Sequence, residues 1–410
     1  MTDIDDDPEI AVGADAFTRE GAGLEVAVVG GGAVGATTAY DLAREGADVT
    51  LYEKDQIASG SSGRAAGICY DAFADPLDAE IASDAIERFR ALSGDETFPF
   101  AECPYVWLAR EGDTERADAI RDQVERMQEN GVVALEADGD ALADRFDALR
   151  TDDVAVAGIA GAAGYTDPAK YTACLAAAAD GAGATLAPET PVEVETDPLR
   201  VVCAEPRSAG DSSGRSPRGD GTEREVDAVV VAAGAHTKQL LADAGIEIAM
   251  KPYRVQALVA GADVDEPMCY DASDSFYLRP HPDGLLAGDG TEYVEGDPDD
   301  YDRDADPEFA DDLLERVRHR LPDADLELER AWAGLCTATP DRDPLVGELE
   351  DGIYVATGFQ GHGFMRAPAI GQRLAEQVVG GEGIAAFDPT RFDGDESFEI
   401  ADGMSIEPEE

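Results

Sequence analysis

The stretch VAVVGGGAVGATTAYDLAREGADVTLYEK, residues 26–54, decides how the rest of the chain is read. Residues 24–29 form an apolar run broken only by Glu25 at its start, the pattern of a strand buried on both faces. Residues 33–44 have helical composition, Gly46 ends them, and residues 48–52 make a second strand. Between the first strand and the helix stands Gly30-x-Gly32-x-x-Gly35. In a β-α-β unit the first glycine permits a tight turn and the second lets the backbone approach a pyrophosphate. The third lets helix and strand pack closely. The phosphates then meet the unpaired N–H groups and positive end of the helix. Glu53 falls at the end of the second strand, about 20 residues on, where a carboxylate can bind ribose hydroxyls and disfavours a 2′-phosphate. A lone glycine motif can be a mere turn, but strand, loop, helix, strand and acid in this order point to a dinucleotide. NAD and FAD remain undecided at this point.

Three further stretches decide between them. ASGSSGRAAG, residues 58–67, is by itself a polar loop with small and hydroxyl side chains. DAVVVAAGAH, residues 227–236, is a buried strand ending in Ala-Ala-Gly. AWAGLCTATPDRDPLVGEL and then GIYVATGFQGHGFMRAPAIGQRLAEQ, ending at Gln377, place a strand, a glycine-rich loop and a helix far along the chain. That is a second backbone cradle, suited to the other end of a long cofactor. With GYTDPAKYTACLAAAADGAGA, residues 164–184, these elements resemble the superfamily of D-amino acid oxidase, glycine oxidase, sarcosine oxidase and dimethylglycine dehydrogenase, from about residue 24 to 387.

The resemblance implies FAD, held non-covalently. Gly30, Gly32, Ala33, Val34 and Gly35 would meet the pyrophosphate, and Glu53 and Lys54 the adenosine ribose. Ser61, Ser62, Arg64, Ala66, Gly67 and Ile68 would lie along the ribityl chain and flavin. Val192 would face the adenine side, with Ala233 and Gly234 beside the cofactor. Gly358, Phe359, Gln360, Gly361, His362, Gly363, Phe364 and Met365 would wrap the pyrimidine edge, where a helix start stabilises negative charge.

The implied reaction oxidises the C–N bond of an amino acid or secondary amine to an imine, with hydride passing to flavin. The substrate would be glycine-, sarcosine- or D-amino acid-like. Such a site needs a cation for the substrate carboxylate and an apolar or aromatic wall. Here the chain departs from its relatives. Their G-L-R-P arginine is Cys336, in Gly334-Leu335-Cys336-Thr337, and the lysine that ends G-H-G-F-K is Met365. Leu286 stands where a lysine would activate oxygen, which tilts the expectation toward a dehydrogenase with another electron acceptor. The cysteine that carries flavin covalently in some relatives aligns near Gly334, two positions from Cys336. The remaining cations are Arg254, Arg279 and Arg366. Arg279, beside Tyr277, leads as the substrate contact, against a surface or interdomain salt bridge. Structural pairing is the alternative for Arg254, and a helix-face position for Arg366. His362 is expected to contact flavin, and His236 to pack at the cofactor's edge. Rival readings are an NAD-dependent dehydrogenase, which leaves the second glycine loop unexplained, and an FAD-binding subunit or assembly factor of a hetero-oligomeric dehydrogenase.

The 410 residues suit two or three domains. The expected fold is α/β: a Rossmann-like FAD-binding domain from residues 24–88, 155–245 and 330–388, and an α+β substrate domain with a mixed sheet from 89–154 and 246–329. Residues 1–23 and 389–410 read as acidic tails, the first disordered, and 205–225 as a mobile loop. Acidic residues number 89 against 31 basic ones, a net charge of −58 that repels nucleic acid and anionic membranes. The acidity is spread evenly, and the lysines are Lys54, Lys170, Lys238 and Lys251, a balance that resembles proteins of high-salt cytoplasm. The six cysteines show no C-x-x-C or zinc spacing, so no metal is expected. The acidic start is unlike a signal peptide, and no apolar run reaches the ~20 residues of a membrane span. The expected location is the cytoplasm. The expected partners are a small amine or amino acid and an electron-acceptor protein or partner subunit.

Overall fold

The structure is a computed structural model, and it describes residues 21–94, 97–203, 222–263, 266–289, 291–401 and 403. The apolar strand at its centre, Glu25–Val29, has four of its five residues buried. It pairs in parallel with Asp48–Tyr52 on one side and Ala228–Val231 on the other. Thr185–Ala187 extends the sheet at one edge, and Ile353–Thr357 with its antiparallel partner Leu345–Glu350 at the other. Helices Ala33–Arg44, Pro76–Leu92, Pro168–Gly181 and Gly363–Val378 form a packed layer on one face. Phe89, Tyr171 and Phe364 meet within it, with ring centroids 4.9 to 5.6 Å apart. Val194, Val201, Leu241, Ile246 and Met250 pack with the opposite face. A largely parallel sheet covered on both sides explains why its strands read as continuous apolar runs.

A second sheet of eight strands roofs the first unit. Its order is Glu327–Ala338, Lys251–Gly261, Gly284–Asp289, Phe276–His281, Met268–Asp271, Tyr105–Arg110, Val154–Ala160 and Ala134–Ala137. Helix Pro307–Arg320 covers its outer face, setting Leu313, Leu314 and Val317 among Leu258, Leu278 and Leu285. Strand alternation then turns Tyr277 and Arg279, and their cross-strand neighbours Gly288 and Leu286, to the inner face. Arg320 is wholly buried and pins the helix to the sheet, 2.7 Å from Asp271 and 3.0 Å from Asp153.

Several boundaries differ from those read in the sequence. Strands Val154–Ala160 and Glu327–Ala338 lie in the roof, because their pairing partners, Tyr105–Arg110 and Lys251–Gly261, are roof strands. The expected loop 205–225 does not reach its stated end, since Glu223–Glu225 pairs with Leu199–Cys203; residues 205–221 lie outside the described residues. So does the expected tail, apart from residues 21–23, which turn into the first strand through a Leu24 N–H to Gly21 O bond of 3.1 Å. The far segment, read as an acidic tail from residue 389, buries Ile400. No described helix is long and apolar enough to cross a membrane.

Candidate active site

The first glycine loop has the geometry its spacing implies. Gly30 holds φ +115°, and a Cβ there would stand 2.3 Å from Ala232 O; one on Gly35 would stand 2.0 Å from Gly30 O. Only glycine lets strand, turn and helix approach this closely. Helix Ala33–Arg44 has no acid in its first turn, and Gly32 offers no side-chain cap. Its positive end is therefore available to an anion. Glu53 braces the loop: Oε2 accepts from Gly31 N at 2.8 Å and Oε1 from Asp55 N at 2.9 Å. Its remaining lone pairs can still take ribose hydroxyls. Lys54 lies 2.7 Å from His236 Nε2 and 3.5 Å from Asp299, so it clips the cradle's rim to an acidic loop. Ala33 N donates to Ser62 Oγ at 2.9 Å, which brings the polar segment 58–67 against the helix start.

That segment connects cradle and roof. Ser61 Oγ donates to Leu335 O at 2.7 Å, and Trp332 Nε1 donates to Arg64 O at 3.1 Å. Arg64 turns back onto the carbonyls of Ser59 and Gly60. Gly67, at φ +73°, bonds through its carbonyl to Thr166 N at 3.0 Å. Ile68 begins the strand Ile68–Tyr70 that follows. Val192 is buried behind Tyr52, and Ala233 and Gly234 lie where the strand Ala228–Val231 turns.

The second glycine loop is held by the end of the roof strand Glu327–Ala338. Thr337 Oγ1 accepts from Gly358 N at 3.0 Å and Phe359 N at 3.3 Å, and Thr337 O accepts from Gln360 N at 2.8 Å. Beside Gly361 there is open space: a Cβ would meet nothing closer than Cys336 Sγ, 4.0 Å away. Helix Gly363–Val378 starts here without an acid in its first turn. Two acid-free helix starts, two glycine loops and the polar segment between them fit a cofactor with an anionic middle and an electron-rich end, as FAD has. Phe364 and Met365 correct the expectation for this loop. Their side chains fill the helical core, so only their backbone is left for a cofactor.

His362 sits 3.3 Å from Tyr70 Oη, with Phe73 edge-on at 5.6 Å. Burial, reinforced by the cation of Arg366, pushes its imidazole down to about 3. It is neutral at ordinary pH and can orient a polar edge without adding charge. Burial likewise pushes Tyr70 up to about 12.

The three arginines separate sharply. Arg254 faces outward, where Glu292 and Asp306 pair with it and the carbonyls of Asp302 and Asp304 accept its remaining protons. It ties down an acidic loop, so the expectation that it meets substrate is corrected. Asp306 stands at the cap position of helix Pro307–Arg320 but makes no capping bond with its side chain, which instead holds Arg254 and Gln256. Arg366 is paired with Asp78 at 2.8 Å and lies 4.8 Å from the Phe73 ring, joining two helices. Arg279 is different. It is 4% exposed, its Nε donates to Ala66 O in the cradle, Nη1 donates to Pro280 O, and the Tyr165 ring lies 5.0 Å away. No carboxylate among the described residues pairs with it. Burial pulls its pKa down to about 10, which still leaves it charged at neutral pH. Tyr277, beside it, lies flat on Gly288, where a Cβ would come within 2.0 Å of its hydroxyl.

Sequence reading missed Tyr165, Tyr70, Trp332 and Thr337. Tyr165 directly precedes the Thr-Asp-Pro turn and could have been suspected there. The others gain meaning only from partners far along the chain, such as Arg64 for Trp332, 268 residues away.

Comparisons with known proteins agree with this geometry. The profile of a family described as FAD dependent oxidoreductase matches residues 25–377. The chain is 26% identical over 400 residues to mitochondrial dimethylglycine dehydrogenase of Mus musculus, covering 90% of this chain and 44% of that protein. This chain thus spans less than half the length of that relative. It is 27% identical to glycine oxidase of Geobacillus kaustophilus, covering 90% of this chain and 96% of that one. The crystal structure of L-proline dehydrogenase from P. horikoshii superposes with a TM-score of 0.79 at 28% identity, covering 90% of this chain and 98% of that one.

Proposed function

The chain belongs to the family of FAD-dependent oxidoreductases, and from that premise we propose that it oxidises the C–N bond of a small amino acid or N-alkylated amino acid to an imine. The observation that carries this reading is Arg279: a buried guanidinium at the edge of the cradle, charged and without a carboxylate partner among the described residues. An isolated buried cation is unfavourable unless a counter-charge arrives. A substrate carboxylate supplies it, with charge-assisted hydrogen bonds that fix orientation. The names of the relatives fit: glycine, dimethylglycine and L-proline each carry an amine one carbon from a carboxylate.

FAD, when bound, supplies the hydride acceptor; the protein supplies orientation and exclusion of water. Arg279 would grip the carboxylate, and Tyr277 on its bed at Gly288 would form an aromatic wall. Neutral His362 would orient a polar edge at the second glycine loop. The amine reacts as the free base, so no strong general base is required. Leu286 is 2% exposed and stands directly across from Arg279, in place of the lysine expected of oxygen-using relatives. An apolar group there supports a dehydrogenase that passes electrons to an acceptor other than oxygen.

The test is an anaerobic visible spectrum of the FAD-loaded protein before and after adding glycine, sarcosine, dimethylglycine, proline and D-amino acids, beside the same amines without a carboxylate. The expected result is bleaching by an amino acid and not by its decarboxylated counterpart. A yellow protein that no compound bleaches, or one that prefers the amines, would overturn the reading.

A further inference from the structure

Residues 398–401 and Gly403 do not form a loose tail in this protein. Phe398 and Ile400 pack with Tyr253, Val255 and Cys336 in a small apolar cluster of their own. By strand alternation Tyr253, Val255 and Cys336 lie on the inner face of the roof, since Tyr253 pairs with Cys336 and the intervening Arg254 points outward to its acids. The segment is therefore tucked into one end of the space between roof and cradle. Lys251 fastens it from the roof: its Nζ donates to Phe398 O and lies 4.6 Å from the Phe398 ring centroid.

The same segment grips the second glycine loop. Gln360 is 3% exposed and holds φ +51°, a left-handed conformation that a side chain disfavours. Three bonds keep it there. Its N donates to Thr337 O at 2.8 Å, its Oε1 accepts from Thr339 N at 3.3 Å, and its Nε2 donates to Ala401 O at 3.0 Å. Gly403 lies so close that a Cβ on it would stand 1.9 Å from Gln360 O. Gly361, the next residue after Gln360, is the one beside open space.

We propose that residues 398–401 and Gly403 form a wall of the cofactor site, closing one end of the cleft and holding Gln360 as a positioning residue for the loop that receives the flavin. The proposal rests on the FAD site and not on the substrate assigned above. With the segment in place the loop is pre-organised, and the ordering cost falls on folding rather than on binding. Without it, Gln360 loses the Ala401 acceptor and the loop relaxes from its left-handed turn.

The experiment titrates FAD into apo-protein and follows quenching of flavin fluorescence. Four proteins are compared: the full chain, a chain lacking residues 398 onward, Gln360→Glu, and the two changes combined. Gln360→Glu keeps the acceptor for Thr339 N and loses the donor to Ala401 O. We expect the deletion and Gln360→Glu each to weaken FAD binding about tenfold. The combination should be no worse than the deletion, because both act through one contact. The visible circular dichroism of bound flavin should change in Gln360→Glu at saturating FAD, a signature that a general loss of stability would not give. Gly403→Ala, a single added methyl, tests the same contact in a full-length chain and should weaken binding in the same direction even where the deletion fails to fold. Binding by the deletion within about twofold of the full chain, or losses that multiply in the combined variant, would overturn the proposal. None of these readouts uses a substrate, so they stand or fall apart from the amine-oxidation reading.

Discussion

Replacing Arg279 by methionine should make the protein more stable and less active at once. Methionine keeps most of the side-chain volume and removes the charge. The drop in the guanidinium's pKa from 12.5 to about 10 corresponds to roughly 3 kcal/mol by which burial disfavours the cation. At 4% exposure, solvent screens little of this. Against it stand the bonds to Ala66 O and Pro280 O, about 1 kcal/mol each once their acceptors are left unpaired. The net expectation is a gain of about 1 kcal/mol, measured by chemical denaturation of the apo-protein. In catalysis the same change removes a charge-assisted contact to the substrate carboxylate in a desolvated site, about 3 kcal/mol. The value of kcat/KM for flavin reduction should fall roughly 100-fold, mostly through KM. The reasoning fails if Arg279→Met destabilises the protein by more than about 1 kcal/mol and leaves KM unchanged. That pair of results would mean that Arg279 is a structural tie between roof and cradle and never meets a carboxylate.

Other consequences can be checked separately. Gly35→Ala places a methyl 2.0 Å from Gly30 O and should abolish FAD retention on purification, with a stability loss of about 1–3 kcal/mol. Arg320→Met takes from Asp271, wholly buried, one of the two arginines that bond it, Arg110 keeping its contacts of 2.8 and 3.0 Å, and should cost about 1–3 kcal/mol in urea unfolding. His362 has a folded pKa near 3, below its ordinary 6.5, so between these values the unfolded chain binds a proton that the folded one refuses. Stability is therefore full above about 6.5 and declines as pH falls toward 3; His362→Gln should flatten that decline in pH-dependent denaturation. Leu286→Lys should speed reoxidation of the reduced protein by oxygen in stopped flow; an unchanged rate would remove Leu286 from the account of acceptor choice.

Local chemistry made the cofactor half of this protein legible. The strand at residues 25–29, the loop Gly30 to Gly35 and the acid at Glu53 are contiguous, and each is specified by rules that act over a few residues: apolar runs, helix starts, and glycines where a Cβ cannot fit. The buried strand read within residues 227–236 is present as Ala228–Val231 for the same reason. Which arginine lacks a carboxylate partner among the described residues could not be read this way. Arg254 and Arg279 both lie on roof strands next to aromatic residues, and one faces outward while the other faces the cradle. That difference is set by cross-strand partners and by Ala66, 213 residues from Arg279. Phe364 and Met365 look like flavin contacts in the chain and are core residues in the fold, because the turn of helix Gly363–Val378 points them at its neighbours. The acidic far segment shows no periodic pattern, yet Phe398 and Ile400 find an apolar pocket that exists only once two roof strands have paired. Residue order alone determined the turns, the helix starts and the cofactor's cradle. The tertiary structure decided which arginine has no carboxylate partner among the described residues and which face each side chain took, since both depend on groups brought together from distant parts of the chain.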